Sequence, residues 1–392
     1  MWIFRKSRES RVEALTIGES RVGSSHTALE TSPSPRLKNG LSQPLPHPLL
    51  KQRGGLVIFN RWRWRLLLAA FCSLLTTFCL ATGWLYKIRE VKPNVFVWVS
   101  DDVLDLDGDP QSARAGTAGF IITQDGVVVV DTTNNPFHGR EVLYEIRHRS
   151  ELPVRYVIDT DSCGEQILGN EVFKELQATL VSSVKTQEGI RQYGQQLARR
   201  MDDDEGNGRL RIRMRGIHIT VPSQTFSGEM TLRLGGQEIK LVTLLRDGSG
   251  DDAAVYLPAS KVLFLGELFQ NDYFPRIGTR ILHDWIAALR QVEGWDVEVY
   301  VPGHGEPGGK KEVAEFRQYL EWLGKEVEAR SKEGQSVSQV KREIDSLVEN
   351  YKWHAPELVS EEVEAVYKQL GKTSSKGANL QPTAQGPLPI QP

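Results

Sequence analysis

Residues 154–166 read Val154-Arg-Tyr-Val-Ile-Asp-Thr160-Asp161-Ser-Cys163-Gly-Glu165-Gln166, an apolar β-branched strand that runs straight into a loop of acids, a thiol and an amide. The same pattern recurs on both sides of it. Upstream lie the short apolar runs Val95–Val99, Gly119–Thr123 and Val127–Asp131, the last two joined at Asp125-Gly126, a hairpin signal. An amphipathic helix is expected over 138–149, another helix near 169–177 and a strand over 179–183. Downstream the periodicity gives strands at 217–221, 230–234, 238–244, 253–257 and 261–265, a helix at 282–292 and a strand at 297–301. This alternation predicts an α/β domain. Several strand ends carry reactive side chains: Asp131, the run from Asp161 to Gln166, Glu267 and His304. Ligands gather where the strands of layered α/β proteins terminate.

The rest of the chain is organised around this domain. A charged stretch from 187 to 216, containing Asp202-Asp-Asp-Glu205, interrupts the alternation and reads as a partly helical insertion with a solvated face. After Gly309 helices are expected at 310–332, 337–350 and 359–370; residues 326–370 form a helical extension and 371–392 a disordered Pro/Gln-rich tail. Residues 1–60 are rich in Ser, Pro, Gly, Arg and Lys and read as a disordered basic arm. Between arm and domain, Leu66 to Tyr86 is free of charge for twenty-one residues, enough at about 1.5 Å per residue to cross roughly 30 Å of hydrocarbon. The upstream flank Arg61-Trp-Arg-Trp-Arg65 is the more basic one, so a single transmembrane helix is expected with the N-terminus cytoplasmic and the main domain extracytoplasmic. A cleaved signal or a lipobox fits less well, because the apolar run is long and Phe71 and Phe78 precede the two cysteines within it.

Composition narrows the partners. A chain that is 40% hydrophobic and 25% charged with a formal net charge of −2 has the profile of a globular protein without a nucleic-acid partner. The expected partners are the membrane, through one helix, and an unknown small molecule or protein. Of three cysteines, Cys72 and Cys79 fall in the apolar run, so no disulfide framework exists and Cys163 stands alone.

Taken in order, Gly119-Phe-Ile-Ile122, Val130-Asp131-Thr132, Val157-Ile-Asp-Thr160, Gly169-Asn170, Val255-Tyr-Leu-Pro258, Lys261-Val-Leu-Phe-Leu-Gly266 and Val301-Pro-Gly-His-Gly305 resemble the framework of the metallo-β-lactamase superfamily, over about residues 95–325. The resemblance implies a four-layer αβ/βα sandwich of two mixed sheets with helices outside. It also implies where metal ligands belong. The family loop normally reads Thr-His-x-His-x-Asp-His and serves two zinc ions. Here Asp161 and Cys163 stand at the first zinc's histidines, and Glu165 and Gln166 replace the Asp-His pair of the second, which puts Glu165 at the family's catalytic acid position. A third histidine position falls on Gly248, the bridging carboxylate becomes Glu267, and His304 alone is kept. In the family Asp131 orders the neighbouring loop.

An open zinc site makes hydroxide at neutral pH when neutral imidazoles hold the ion, and this loop has none. The primary expectation is therefore a catalytically impaired relative, a pseudoenzyme without a metal cofactor, that serves as a binding or regulatory module. The alternative is a hydrolase acting on an ester, thioester or amide, with zinc or iron at one remodelled site of Asp161, Cys163, Glu267 and His304. Each residue also has a plainer reading: His304 satisfying loop backbone groups, Cys163 filling core space, and Asp161, Glu165 and Glu267 solvated or paired with Arg246 or Arg276. Asp247, Asp251 or Asp252 is available to fill the gap at Gly248. A cysteine nucleophile is disfavoured, since nearby acids raise a thiol's pKa. His138, His148, His218 and His283 lie outside the motif.

Overall fold

The computed structural model describes residues 86–100, 114–202, 214, 216–245, 252–349 and 351–376, all within one compact unit, Leu75–Pro392. The arm at 1–60, the apolar span up to residue 85, the acids at 203–205, Arg246, Asp247, Gly248, Asp251 and the tail from 377 lie outside the described residues. Tyr86, the last residue of the expected membrane helix, is instead the first residue of a strand, β1 (Tyr86–Lys92). Among the described residues no helix is long and apolar enough to cross a membrane.

β1 pairs with β2 (Val95–Ser100), which continues through β3 (Ala118–Ile122), β4 (Val127–Val130), β5 (Val154–Asp159), β6 (Thr179–Ser183) and β7 (Gln224–Phe226) in plain sequence order. Pairing is antiparallel as far as β4 and parallel from there to β7, so this seven-stranded sheet is mixed. The second sheet has five strands: β8 (Glu229–Leu234), β9 (Gln237–Thr243), β10 (Ala253–Leu257), β11 (Val262–Gln270) and β12 (Val299–His304). It is antiparallel except for the β11–β12 pair.

Side-chain alternation explains the layers. Strand residues point to opposite faces with a period of two. Val128 and Val130 of β4 join a core with Val255 and Leu257 of β10 and Val262 and Phe264 of β11, so this cluster lies between the sheets. Val127 and Val129 instead meet Val142 and Ile146 of α1 (Pro136–Arg147) and Phe173 on the outer side. Leu263 and Leu265 meet Trp285 and Leu289 of α5 (Leu282–Glu293) on the other outer side. Helix, sheet, sheet, helix is the order that results. Burial on both faces is why these strands read as continuous apolar runs.

Two expectations are corrected. The strand set at 217–221 is not formed; Pro222, just after it, has no N–H to give a ladder, and pairing resumes only at β7. Ile217, Ile219 and Val221 cover the insertion helix α4 (Val184–Asp202) instead of joining the ladder. That helix is not simply solvated either: Ile190, Tyr193 and Leu197, spaced three and four apart, are buried together with Ile167 and Leu168 of the segment between β5 and β6.

After β12, α6 (Lys310–Lys332) runs unbroken, followed by α7 (Val337–Val348), a short 3₁₀ turn (Pro356–Leu358) and α8 (Val359–Lys376). Val340, Ile344, Val359 and Val363 share the core of α5 and the second sheet. Within it the Tyr319 hydroxyl of α6 donates to Glu362 Oε2 at 2.6 Å, while Glu362 Oε1 is buried without a partner. Burial pushes the Glu362 carboxyl up to about 8, the Tyr319 bond opposing it. An acid whose folded pKa is raised favours the folded state at low pH, and that contribution is lost as pH rises from the unfolded value, near 4.5, towards 8. Glu362→Gln should therefore gain stability over the parent by up to about 1.4 kcal/mol per pH unit across that window. Denaturant midpoints at pH 5 and pH 8 check this; an equal difference at both would contradict it.

Candidate functional site

The site is assembled where β4, β5, β11 and β12 end. Asp131, just past β4, has a left-handed backbone (φ 59°) that turns its carboxylate across to the next strand end. There it accepts hydrogen bonds from the Thr160 N–H at 2.9 Å and from the Thr160 hydroxyl at 3.0 and 2.8 Å, fixing the start of the 160–166 loop. Burial pushes the Asp131 carboxyl up to about 7, the Thr160 bonds opposing. A second brace lies beneath: the Thr132 hydroxyl donates to Asn170 Oδ1 and the Asn170 amide to Asp159 Oδ2, each at 2.8 Å. Gly266 closes against this loop with φ +51°, and a Cβ there would stand 2.2 Å from Thr160 Oγ1.

From this frame the loop turns into α2 (Gly164–Ile167), whose Glu165 and Gln166 are buried. The parallel β11–β12 register sets Gln270 opposite His304. At the centre stands Glu267: its Oε1 accepts from Gln166 Nε2 at 2.9 Å and its Oε2 from Gln270 Nε2 at 2.8 Å. His304 Nε2 lies 3.3 Å from both Glu267 Oε1 and Glu165 Oε2. Burial alone would lower the imidazole's pKa, but the two carboxylates overcome it and raise His304 to about 10. In return, and against its own burial, Glu267 is held well below the usual carboxylate range by His304, Arg280 and Gln166. The pair is a buried imidazolium–carboxylate contact at neutral pH, strengthened by the dry surroundings.

Of the residues singled out in the sequence, Glu165, Glu267 and His304 meet, and they are the cluster of potential metal ligands found among the described residues. Asp161 and Cys163 stand apart from that cluster. Asp161 Oδ1 accepts from the Cys163 N–H at 2.7 Å and Oδ2 from the Glu267 N–H at 3.4 Å, so this carboxyl braces backbone. Burial, with Glu267, Asp252 and Asp131 nearby, pushes Asp161 well up, against Arg280. Burial and the acids Asp161 and Glu267 likewise push the Cys163 thiol up, which leaves it protonated and a poor ligand or nucleophile. Asp252 is clasped by Arg280, with Nε to Oδ2 at 2.9 Å and Nη2 to Oδ1 at 2.6 Å. The plainer reading of His304 is corrected too, because its ring engages two carboxylates rather than loop backbone. Of the other histidines, His138 bonds Asn134 and Asn135 and His148 bonds the Tyr144 carbonyl, while His218 and His283 sit at the surface.

Above the cluster opens a small pocket of ≈ 60 Å³. Its walls include Tyr273 and Phe274, Arg114 and Arg276 and, from the C-terminal segment, Ala355, Glu357 and Leu358. Arg114 Nη2 reaches Glu357 at 3.2 Å, and backbone bonds between Asp272–Phe274 and His354 fasten that segment down. These wall residues carry no motif. Gln270 alone left a signal, as the polar end of the β11 apolar run.

The donor set suits one metal ion and not two. Two carboxylates and an imidazole within 4.8 Å of one another match a single-ion site. A second ion at the family positions would need Asp161, whose oxygens accept from backbone N–H groups, and Cys163, whose thiol is pushed up by burial and the neighbouring acids.

No family model matches the chain. Over 226 residues, 50% of this chain, it is 24% identical to a linear primary-alkylsulfatase of Pseudomonas sp. (strain ATCC 19151), and the match spans 43% of that relative. Similar solved structures are a metallo-beta-lactamase from Pontibacter korlensis, 20% identical over 60% of this chain and 99% of that one with a TM-score of 0.46, and the DIM-1 metallo-beta-lactamase, 16% identical over 60% and 97% with a TM-score of 0.46. The strand order and layering fit an αβ/βα sandwich of the metallo-β-lactamase type.

Two outcomes test this geometry. His304→Ala leaves two buried carboxylates facing each other, and should lose about 3–5 kcal/mol at neutral pH, with part regained by adding Glu267→Gln. Gly266→Ala should lose more than about 2 kcal/mol by forcing Thr160 off Asp131. Urea denaturation of both variants reads these losses; a change under about 0.5 kcal/mol in either would contradict the arrangement.

Proposed function

We propose that this chain is a membrane-anchored, metallo-β-lactamase-like protein whose outer domain binds a small molecule or protein partner and is impaired as a hydrolase. The observation that carries this reading is how the imidazole that lines the pocket is engaged. His304 Nε2 lies 3.3 Å from carboxylate oxygens of both Glu165 and Glu267, and Glu267 is further tied by two amides, so the groups are organised around each other. Water activation in this superfamily's manner needs neutral imidazoles around the metal. The uncharged stretch at 66–86 and its basic upstream flank support an uncleaved anchor with a cytoplasmic N-terminus and an extracytoplasmic domain.

A second reading rests on the same three ligands. If Glu165, Glu267 and His304 hold one divalent ion, it would supply Lewis acidity at the pocket floor, while Gln166 and Gln270 orient Glu267. Two anionic ligands would blunt that acidity relative to a three-histidine site. An ester, thioester or amide, or a sulfate ester of the kind the curated relative is named for, would then be the substrate class.

Elemental analysis of the full chain purified without added zinc, with assays on those four substrate classes, separates the readings. The binding reading expects no turnover and, at most, one metal per chain that is lost in His304→Ala. Two metals per chain with turnover would overturn it, and one metal with turnover abolished in His304→Ala would establish the second reading.

A further inference from the structure

The outer face of α1 has a composition the pocket does not use. Phe137 is 58% and Tyr144 47% exposed, seven residues apart and so on one face of the helix. Arg140 and Arg147, both exposed, flank them, and His148 follows at the C-cap. The opposite face, Gly139, Val142 and Ile146, is buried against the first sheet. Single exposed aromatics are ordinary on a surface, but two of them interleaved with guanidinium groups form the pattern of a helix lying at a bilayer interface.

Position is the second observation. Tyr86, the last residue of the uncharged stretch from Leu66, opens β1. Tyr86 is 5% exposed, stacks on Trp98 with ring centroids 5.4 Å apart and donates its hydroxyl to Glu145 of α1 at 2.8 Å. Trp98 in turn meets His138 of α1 at 5.4 Å. Tyr86 itself is therefore fixed against α1. Glu145 is occupied by Tyr86 and Arg149, and Glu141 is half-buried, which leaves the exposed charge of this face basic.

We infer that α1 docks on the surface of the membrane that the chain enters, with Phe137 and Tyr144 in the interfacial layer and Arg140 and Arg147 on anionic phospholipid headgroups. This rests on the anchoring part of the proposed function and fixes the domain's orientation on the bilayer. The seat suits anionic lipid because Trp and Tyr-type rings prefer the headgroup level while basic residues nearby gain from negative surface potential.

The test uses the full chain with its three cysteines replaced by serine, reconstituted in vesicles of phosphatidylcholine with one-third phosphatidylglycerol. Nitroxide labels are attached at Phe137→Cys, Tyr144→Cys and, as a control on β8 of the other sheet, Arg233→Cys. The expected result is loss of accessibility to a water-soluble nickel reagent and a gain towards oxygen at 137 and 144, with Arg233 fully wet. Adding Arg140→Glu and Arg147→Glu should shift 137 and 144 back towards water. Hydrogen exchange over residues 136–149 of the unlabelled chain, slower in these vesicles than in detergent, is the check on label artefacts. Chains that float with the vesicles but leave 137 and 144 as wet as 233 would overturn the docking alone. Chains that fail to float would overturn the anchor and the docking together.

Discussion

Glu267 holds the site together. It sits on β11 at the level where that strand and β12 run parallel, and every neighbour of its carboxylate comes from a different part of the chain: Gln166 from the loop after β5, Gln270 from its own strand and His304 from the end of β12. A buried carboxylate without such partners would not remain ionised. With them it draws the His304 imidazole into its charged form, and Glu165 completes the arrangement from α2. Surrounding acids would otherwise repel one another. Asp131 is answered by Thr160, Asp161 by backbone N–H groups and Asp252 by the buried guanidinium of Arg280. The pocket floor and the acids behind it are thus polar groups already engaged with one another within the protein.

That compensation bears on the proposed binding role as much as the residue types in the 160–166 loop do. A metal centre works by leaving coordination positions open and ligand lone pairs uncommitted. Here the donors that remain are turned towards one another, and the C-terminal segment that helps wall the pocket is held by Arg114 on one side and by the Asp272–Phe274 backbone on the other. In the proposed binding role, such a floor would orient a molecule through hydrogen bonds and shape.

Much of this was legible in the residues. The positions of most strands, the apolar run Val127–Val130 and the C-terminal helices follow from periodicity, because burial on one or both faces leaves a direct trace in hydrophobic spacing. The positions of Glu165, Glu267 and His304 followed from motif order. What they do to each other did not, since hydrogen bonds between residues 101 or 139 apart in sequence leave no local pattern. The strand expected at 217–221 failed for a related reason: alternation of Ile217, Ile219 and Val221 reports a buried face but not which element buries it. Arg280 and the 355–358 wall were invisible because a lone arginine and a short turn carry no periodic signature at all.

The most direct measurement of this account is the titration of the His304 imidazole by nitrogen NMR in metal-free protein. The account predicts an imidazolium that persists through neutral pH and releases its proton only at about 10. A ring that is already neutral at pH 7, titrating near the ordinary value of about 6.5, would contradict it.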